Sequence, residues 1–305
     1  MSGACCAEKT SAADSWLNSL KQLLGEGDFV TNTIVSSSEL TLLPAGAGSK
    51  MQLRRPSEQE LLFTAPLAIY DAVGRTQFSA TALQTYLYCQ RRYFYQQVCR
   101  LPEAEQSAGG RTLPAYVLGL IIHRALERYG GDEQKALQAA VQEFAAAQPE
   151  LGKEAESLLH NYLTSRLYRS IPARQQRELR FTFAAGKLLL SGVIDCLAVN
   201  EDGGVIIVDY KTGRPPADEK AALGYLYQLA IYRAAAEQLL RRPVQSAQLH
   251  FLRDLSCHEL TDGQGKLKEA LDLCSAISSR QRESEFACSL DKCGSCSYNY
   301  LCPRK

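Results

Sequence analysis

The stretch VIIVDYKTG, Val205 to Gly213, decides the reading of this chain. Four apolar β-branched residues predict a buried strand, and Thr212-Gly213 ends it. Residues i and i+2 of a strand share a face, so Asp209 and Lys211 project together and Tyr210 points the other way. A buried carboxylate or ammonium is costly unless it has a partner, so such groups at a strand end are paired or have a task. One reading is a strand-end ion pair. The other is a metal-dependent active site.

The preceding segment, SGVIDCLAV, carries Asp195. A short turn at Asn200 to Gly204 makes the two strands an antiparallel hairpin, and that pairing places Asp195 close to Asp209. Adjacent carboxylates repel, and a divalent cation relieves them. Mg2+ or Mn2+ takes oxygen ligands, so two carboxylates and the Tyr210 backbone carbonyl suit it. Lys211 then fits a phosphodiester hydrolysis, positioning water and stabilising developing charge.

Outward from this hairpin, the chain alternates in pattern. FSATALQTYLYCQRRYFYQQV predicts one helix with Ser79 as N-cap. LPAYVLGLIIHRALERYGG predicts an apolar helix stopped at Gly130-Gly131. Asp132 starts another, and Gly152 to Tyr168 supplies a third. ELRFTFAAGKLLLSGVIDCLAVNEDGGVIIVDYK reads as three strands, followed by a helix over about 218–240, a strand in SAQLHFLRDL and a helix in KLKEALDLCSAISSRQ. That order is α/β with a mixed sheet flanked by helices. Residues 76–305 form one domain, and 1–75 stand apart as a weaker N-terminal segment with a short amphipathic helix, SWLNSLKQLL. Its LLPAGAGSK misses a phosphate loop, because Ser49 precedes Lys50.

Composition narrows the partners. The 305 residues carry a net charge of +1, so no global field draws the chain onto nucleic acid, and any such site is a local patch. Arg91-Arg92 followed by Tyr93, Phe94 and Tyr95 mixes cations with rings; it suits single-strand binding and equally suits core packing. Arg174, Arg177 and Arg180 read as a solvated basic face. No apolar run is long enough to span a membrane, and MSGACCAEKT lacks the apolar core of a signal peptide, so the expected location is cytoplasmic.

Eleven cysteines in a reducing setting point to metal rather than disulfides. Cys99, Cys196 and Cys274 read as small buried residues. Cys293, Cys296 and Cys302 form C-x2-C-x5-C, and zinc and iron–sulfur sites alike want a fourth ligand. Cys288 offers it locally and Cys89 at long range.

With these residues in place, the chain resembles the PD-(D/E)XK nucleases of the RecB type. Their motif order occurs here as Gly119-x-x-x-His123-x-x-x-Glu127, Gly192-Val-Ile-Asp195, Asp209-Tyr-Lys211 and Gln228-x-x-x-Tyr232. The resemblance implies a restriction-endonuclease-like core, with His123, Asp195 and Asp209 holding the metal, Lys211 catalytic, and Gln228 and Tyr232 contacting the site or the DNA. Read alone, His123 is a core histidine and Glu127 its helical partner. Cys196 stands where the family often has arginine. The AddB class and related CRISPR adaptation nucleases pair an early cysteine with three terminal ones around a 4Fe–4S cluster. The resemblance therefore favours Cys89 with Cys293, Cys296 and Cys302, although Gln90 replaces their usual proline. It implies a DNA nuclease acting on single strands or free ends in repair, recombination or defence. A helicase is the implied partner, since the N-terminal segment weakly resembles the linker of AddA-type helicase–nucleases. Two other readings stay open: a catalytically silent DNA-binding or scaffold module, and a zinc-stapled interaction protein.

Overall fold

The computed structural model of the chain describes residues 76–103, 114–145, 149–280 and 282–302. The helix expected at Ser15 to Leu24, and the rest of 1–75, lie outside them.

A three-residue strand, β1 (Gln77–Ser79), opens the described part and was not expected from so short a run. The helix α1 (Ala80–Tyr88) follows, and the Ser79 hydroxyl caps it by accepting the Ala82 N–H at 3.1 Å. The sequence predicts one helix through Val98, but the chain turns extended at Cys89, with φ −161° and ψ 116°. It resumes as α2 (Gln90–Tyr93) and a π-helical turn, Phe94–Val98. A break frees backbone donors, and the C-terminal tail takes one of them: Arg91 N–H donates to the Ala287 carbonyl at 3.0 Å.

Three helices come next: α3 (Pro114–Arg128), α4 (Glu133–Phe144, capped by Asp132) and α5 (Pro149–Thr164). Ser165 divides the expected third helix. Its hydroxyl caps the short α6 (Arg166–Arg169) by accepting Tyr168 N–H. The strands β2 (Gln175–Ala185), β3 (Leu188–Val199) and β4 (Val205–Lys211) stand where the alternating pattern put them. Gly203, at φ 81°, makes the tight turn between β3 and β4. Then come α7 (Glu219–Leu240), β5 (Val244–Phe251), β6 (Ser256–Glu259) and α8 (Gly263–Ser278). The expected last strand thus ends at Phe251 and returns as β6, antiparallel to it.

The sheet is mixed. β2 pairs antiparallel with β3 along almost its whole length, from Gln175↔Ala198 to Ala185↔Leu188. β1 (parallel) and β4 (antiparallel) therefore share the other edge of β3, β1 at Leu189–Ser191 and β4 at Cys196–Val199. β5 lies parallel to β4. One face of the sheet packs under α1, α7 and α8, around residues such as Leu83, Leu190, Ile207, Ile231 and Cys274. The other packs under α3, α4 and α5, around Ile121, Leu159, Tyr162, Val208 and Tyr210. Helices cover both faces, as expected for a mixed α/β core. Cys196 and Cys274 are buried, whereas Cys99 is only half-buried. Among the described residues no helix is long and apolar enough to cross a membrane.

Candidate active site

The β3–β4 ladder stops at Cys196↔Val208. One step further the two strands part, and Asp195 and Asp209 face the gap. Both are buried, at 8% and 1% exposure. Parting leaves Tyr210 N–H without a ladder partner, and it donates to Asp195 Oδ2 at 2.7 Å. His123 arrives from α3. Its Nδ1 lies 3.3 Å from Asp195 Oδ1 and its Nε2 3.1 Å from the Tyr210 carbonyl oxygen. Glu127 turns instead to Arg124, so the i,i+4 pairing with His123 is not made.

Strand alternation puts Asp209 and Lys211 on the α7 side and Tyr210 on the α3 side, as the hairpin predicts. Lys211 Nζ lies 2.6 Å from Asp209 Oδ2 and donates to Gln228 Oε1 at 3.1 Å. It also sits 5.0 Å from the centre of the Tyr225 ring. Gln228 is fixed in turn. Its oxygen also accepts from Gln84 Nε2 at 2.7 Å, and its own Nε2 donates to the Tyr232 hydroxyl at 2.7 Å. A chain of polar contacts thus runs from Tyr232 to the ammonium of Lys211.

Gly192 makes room for Tyr232. A Cβ there would meet Phe181 ring carbons at 2.7 and 2.9 Å and a Tyr232 ring carbon at 2.9 Å. The two rings meet edge to face at 5.4 Å over this glycine.

Glu178 is the site residue that sequence reasoning missed. It falls opposite Asp195 in the β2–β3 register, and its backbone is left-handed at φ 50°. Such a conformation costs a non-glycine residue about 1–3 kcal/mol and concentrates at functional sites. Alternation slips here. Leu179 and Ile194 face the α7 side, while Cys196 faces the α3 side and Arg177 bonds to the α3 end. His123 Nδ1, a Glu178 oxygen and an Asp195 oxygen consequently lie within 4.8 Å of one another. An acid in QQRELRF is visible in the sequence, but strict period-2 reading aims it at solvent with Arg180.

Five charged groups in a buried space, Glu178, Asp195, Asp209, His123 and Lys211, distort one another's titration. Burial raises Glu178 to about 7, with Asp195 adding and His123 opposing. Burial likewise raises Asp209 to about 6, opposed by Lys211 and reinforced by Asp195. Burial pulls His123 down, but the attraction of Asp195, its hydrogen bond and Asp209 lift it to about 9. Asp195 is held below the usual carboxylate range: burial pushes it up, and His123, Lys211 and Tyr210 N–H outweigh that. Carboxylates whose ionisation is held back in this way are relieved by a further cation. Asp209 Oδ2, buried and held 2.6 Å from the Lys211 ammonium, is one donor for it. Hard oxygens with one imidazole fit Mg2+ or Mn2+.

The cysteines meet at a second place. Cys89, Cys288, Cys293, Cys296 and Cys302 all line one small, tight cavity of about 10 Å3. The break in the helix at Cys89 brings that residue there. Cys288 Sγ lies 3.5 Å from Cys293 Sγ and 3.3 Å from Cys302 Sγ. An all-sulfur donor set fits an iron–sulfur cluster or zinc.

The ring-and-cation stretch is corrected by its surroundings. Tyr93 is fully buried and its ring stacks on Phe286 at 6.2 Å. Phe94 and Tyr95 are buried too. Arg91 pairs with Glu283 and donates to the Phe286 carbonyl at 2.9 Å, tying α2 to the tail. Tyr93, Phe94 and Tyr95 are thus core packing and Arg91 is tied to the tail, while Arg92 lines an open groove. Arg177 is no solvated cation either. It donates to the Leu126 and Tyr129 carbonyls, both at 2.6 Å, closing the C-terminus of α3.

Comparison with known proteins places this arrangement. The chain is 40% identical over 87 residues to a subunit of the ATP-dependent helicase/nuclease of Moorella thermoacetica, covering 28% of this chain and 5% of that protein. It is 30% identical over 161 residues to the corresponding protein of Carboxydothermus hydrogenoformans, covering 45% and 14%. The chain thus spans only a small fraction of the length of these curated relatives. The crystal structure of SSO0001 aligns at 14% identity with a TM-score of 0.37, covering 77% of this chain and 88% of that one. The family model of the PD-(D/E)XK nuclease superfamily matches residues 77–303. The mixed sheet with helices on both faces accords with this match, and the chain belongs to the PD-(D/E)XK nuclease superfamily, with its restriction-endonuclease-like core.

Proposed function

We propose that this nuclease is a divalent-metal-dependent deoxyribonuclease that cuts single strands or free ends, working beside a helicase in DNA repair, recombination or defence. The observation that carries it is the fork of β3 and β4, where Asp195, Asp209 and Lys211 converge with His123. Mg2+ or Mn2+ bound by Asp195, Asp209, His123 and the Tyr210 carbonyl would supply Lewis-acid polarisation of the scissile phosphate. Glu178 stands at the same place. Lys211 holds the attacking water and offers positive charge where the phosphate oxygens gain it. Gln228 and Tyr232 act through Lys211, keeping its ammonium aimed.

The reading extends to a 4Fe–4S cluster held by Cys89, Cys293, Cys296 and Cys302. Its support is the shared cavity and the approach of Cys89 to the tail across some 200 residues of chain. Closing so long a loop removes freedom from the unfolded chain and stabilises the domain. The helicase partner rests on what the relatives are named for.

The test is incubation of the pure chain with end-labelled single strands and blunt duplex, with and without Mn2+. Cutting should need the metal and be faster on single strands, because stacking of about 1.4 kcal/mol per step opposes fraying. Metal-independent cutting, or equal rates on both substrates, overturns the reading.

A further inference from the structure

Beside the active site runs a groove of about 740 Å3, large enough for an extended ligand. Four elements wall it. Gln84 and Tyr88 come from α1, Arg92 from α2, Lys220 and Tyr225 from the start of α7, and Lys292 from the tail between Cys288 and Cys293. The groove meets the site directly, since Gln84 bonds Gln228 and Tyr225 carries Lys211 on its ring. Gly224 lets the two helices close its floor, with the Gln84 side chain 3.0 Å from where a Cβ would stand.

Its chemistry is mixed in a particular way. Tyr88 is one of the few exposed large rings, at 38%. Two cations lie over that ring, Arg92 and Lys292, each 5.7 Å from its centre, and Arg92 also pairs with Glu103 at 3.2 Å. Lys220 makes no ion pair among the described residues and stands in the first turn of α7, where the helix dipole also favours an anion. Asp218 and Asp291 also line the groove, but Asp218 caps α7 and Asp291 pairs with Lys292. Leu87 and Ala221 add apolar surface, so the lining mixes rings, aliphatic carbon and cations. A ring flanked by cations, on a path ending at a candidate phosphodiester site, matches a base between its phosphates.

We propose that this groove binds single-stranded DNA, with a base stacked on Tyr88 and its flanking phosphates held by Lys220, Lys292 and Arg92, and so feeds the strand to Lys211. The assignment rests on the nuclease reading for its direction, but not for its existence.

The test measures binding of a short fluorescein-labelled oligothymidylate by anisotropy in EDTA, across a salt series. Tyr88→Ala should weaken binding about tenfold, and Tyr88→Phe should restore most of it, because the ring and not the hydroxyl carries the contact. Lys220→Gln and Lys292→Gln should each flatten the salt slope by about 0.7, the value for one phosphate contact on a single strand. All the side chains altered are exposed or partly so, and unchanged melting confirms intact folding. Wild-type affinity and slope in the alanine and glutamine variants overturns the groove. So does equal affinity for blunt duplex, or competition by polyglutamate as strong as by oligothymidylate. If the unaltered protein cuts DNA while the variants bind like it, the groove falls and the nuclease reading stands. If the variants lose binding while no metal elicits cutting, the groove stands and the nuclease reading falls.

Discussion

Glu178 stands opposite Asp195 across the β2–β3 hairpin, its backbone left-handed at φ 50°, and both carboxylates reach His123. The strained residue brings a third acid to a site that a strict alternation would leave with two. Glu178→Gln should therefore weaken Mn2+ binding, by about tenfold for one lost charged ligand. The same change should raise the melting temperature in EDTA, since a like-charge neighbour of Asp195 is gone. Calorimetric titration and melting check both. Unchanged Mn2+ affinity would place Glu178 outside the metal site.

The pH dependence of metal stabilisation has a fixed sign. Glu178 and Asp209 titrate near 7 and 6, above their unfolded values, and His123 near 9, above its own. At these three groups the metal-free folded state thus binds more protons than the unfolded chain from about pH 4 to about pH 9, and their joint contribution to stability falls as pH rises through that window. A divalent cation replaces those protons. The melting-temperature gain on adding Mn2+ should be small near pH 6 and largest towards pH 9. A gain that shrinks with rising pH contradicts this arrangement of charges.

His250 carries the opposite sign. It is wholly buried, accepts from the Tyr162 hydroxyl and donates to Gln248, and burial depresses it to about 4. The unfolded chain takes up this proton first, so the contribution of His250 to stability falls as pH drops from about 6.5 towards 4. His250→Gln should flatten that acid limb in urea unfolding while the Mn2+ response persists. An unchanged limb would show that other groups control acid unfolding.

Gly192→Ala tests the packing under the site. Its Cβ meets ring atoms at under 3 Å, so Phe181 or Tyr232 must shift, at a cost of about 1–3 kcal/mol in urea unfolding. Because Tyr232 holds Gln228 and Gln228 holds Lys211, cutting should slow as well. Full stability and full rate together would show that the rings have room to move.

The hairpin was legible because both its signals are local. The β-branched run and the turn set the register, and the register alone brings Asp195 to Asp209. His123, Gln228 and Tyr232 could be placed only through the ordered motif, since each is an ordinary helix residue by itself. Glu178 was hidden by the left-handed backbone that reverses its face, which no composition signals. Tyr93 was open to two readings for the reverse reason. Its helix breaks at Cys89, and the direction of the rings depends on that break and on a tail some 200 residues away. Cys89 itself stood out only by resemblance, and Cys288 competes with it at 3.3 Å from Cys302.

Colour decides between those two thiols. Cys89→Ser should lose iron and melt at lower temperature, whereas Cys288→Ser should keep both iron and stability. Iron retained in the first variant and lost in the second would assign the fourth ligand to Cys288.

The most direct test of the whole account is the initial rate of cutting of an end-labelled single strand in Mn2+. The unaltered protein, Asp209→Asn and Lys211→Ala are compared at equal concentration, with melting curves to show that each is folded. Loss of a group that stabilises charge in the transition state lowers the rate about 100-fold or more, and both variants should fall at least that far. A folded Lys211→Ala that cuts at the unaltered rate would contradict the assignment of the β3–β4 fork as the place where the bond is broken.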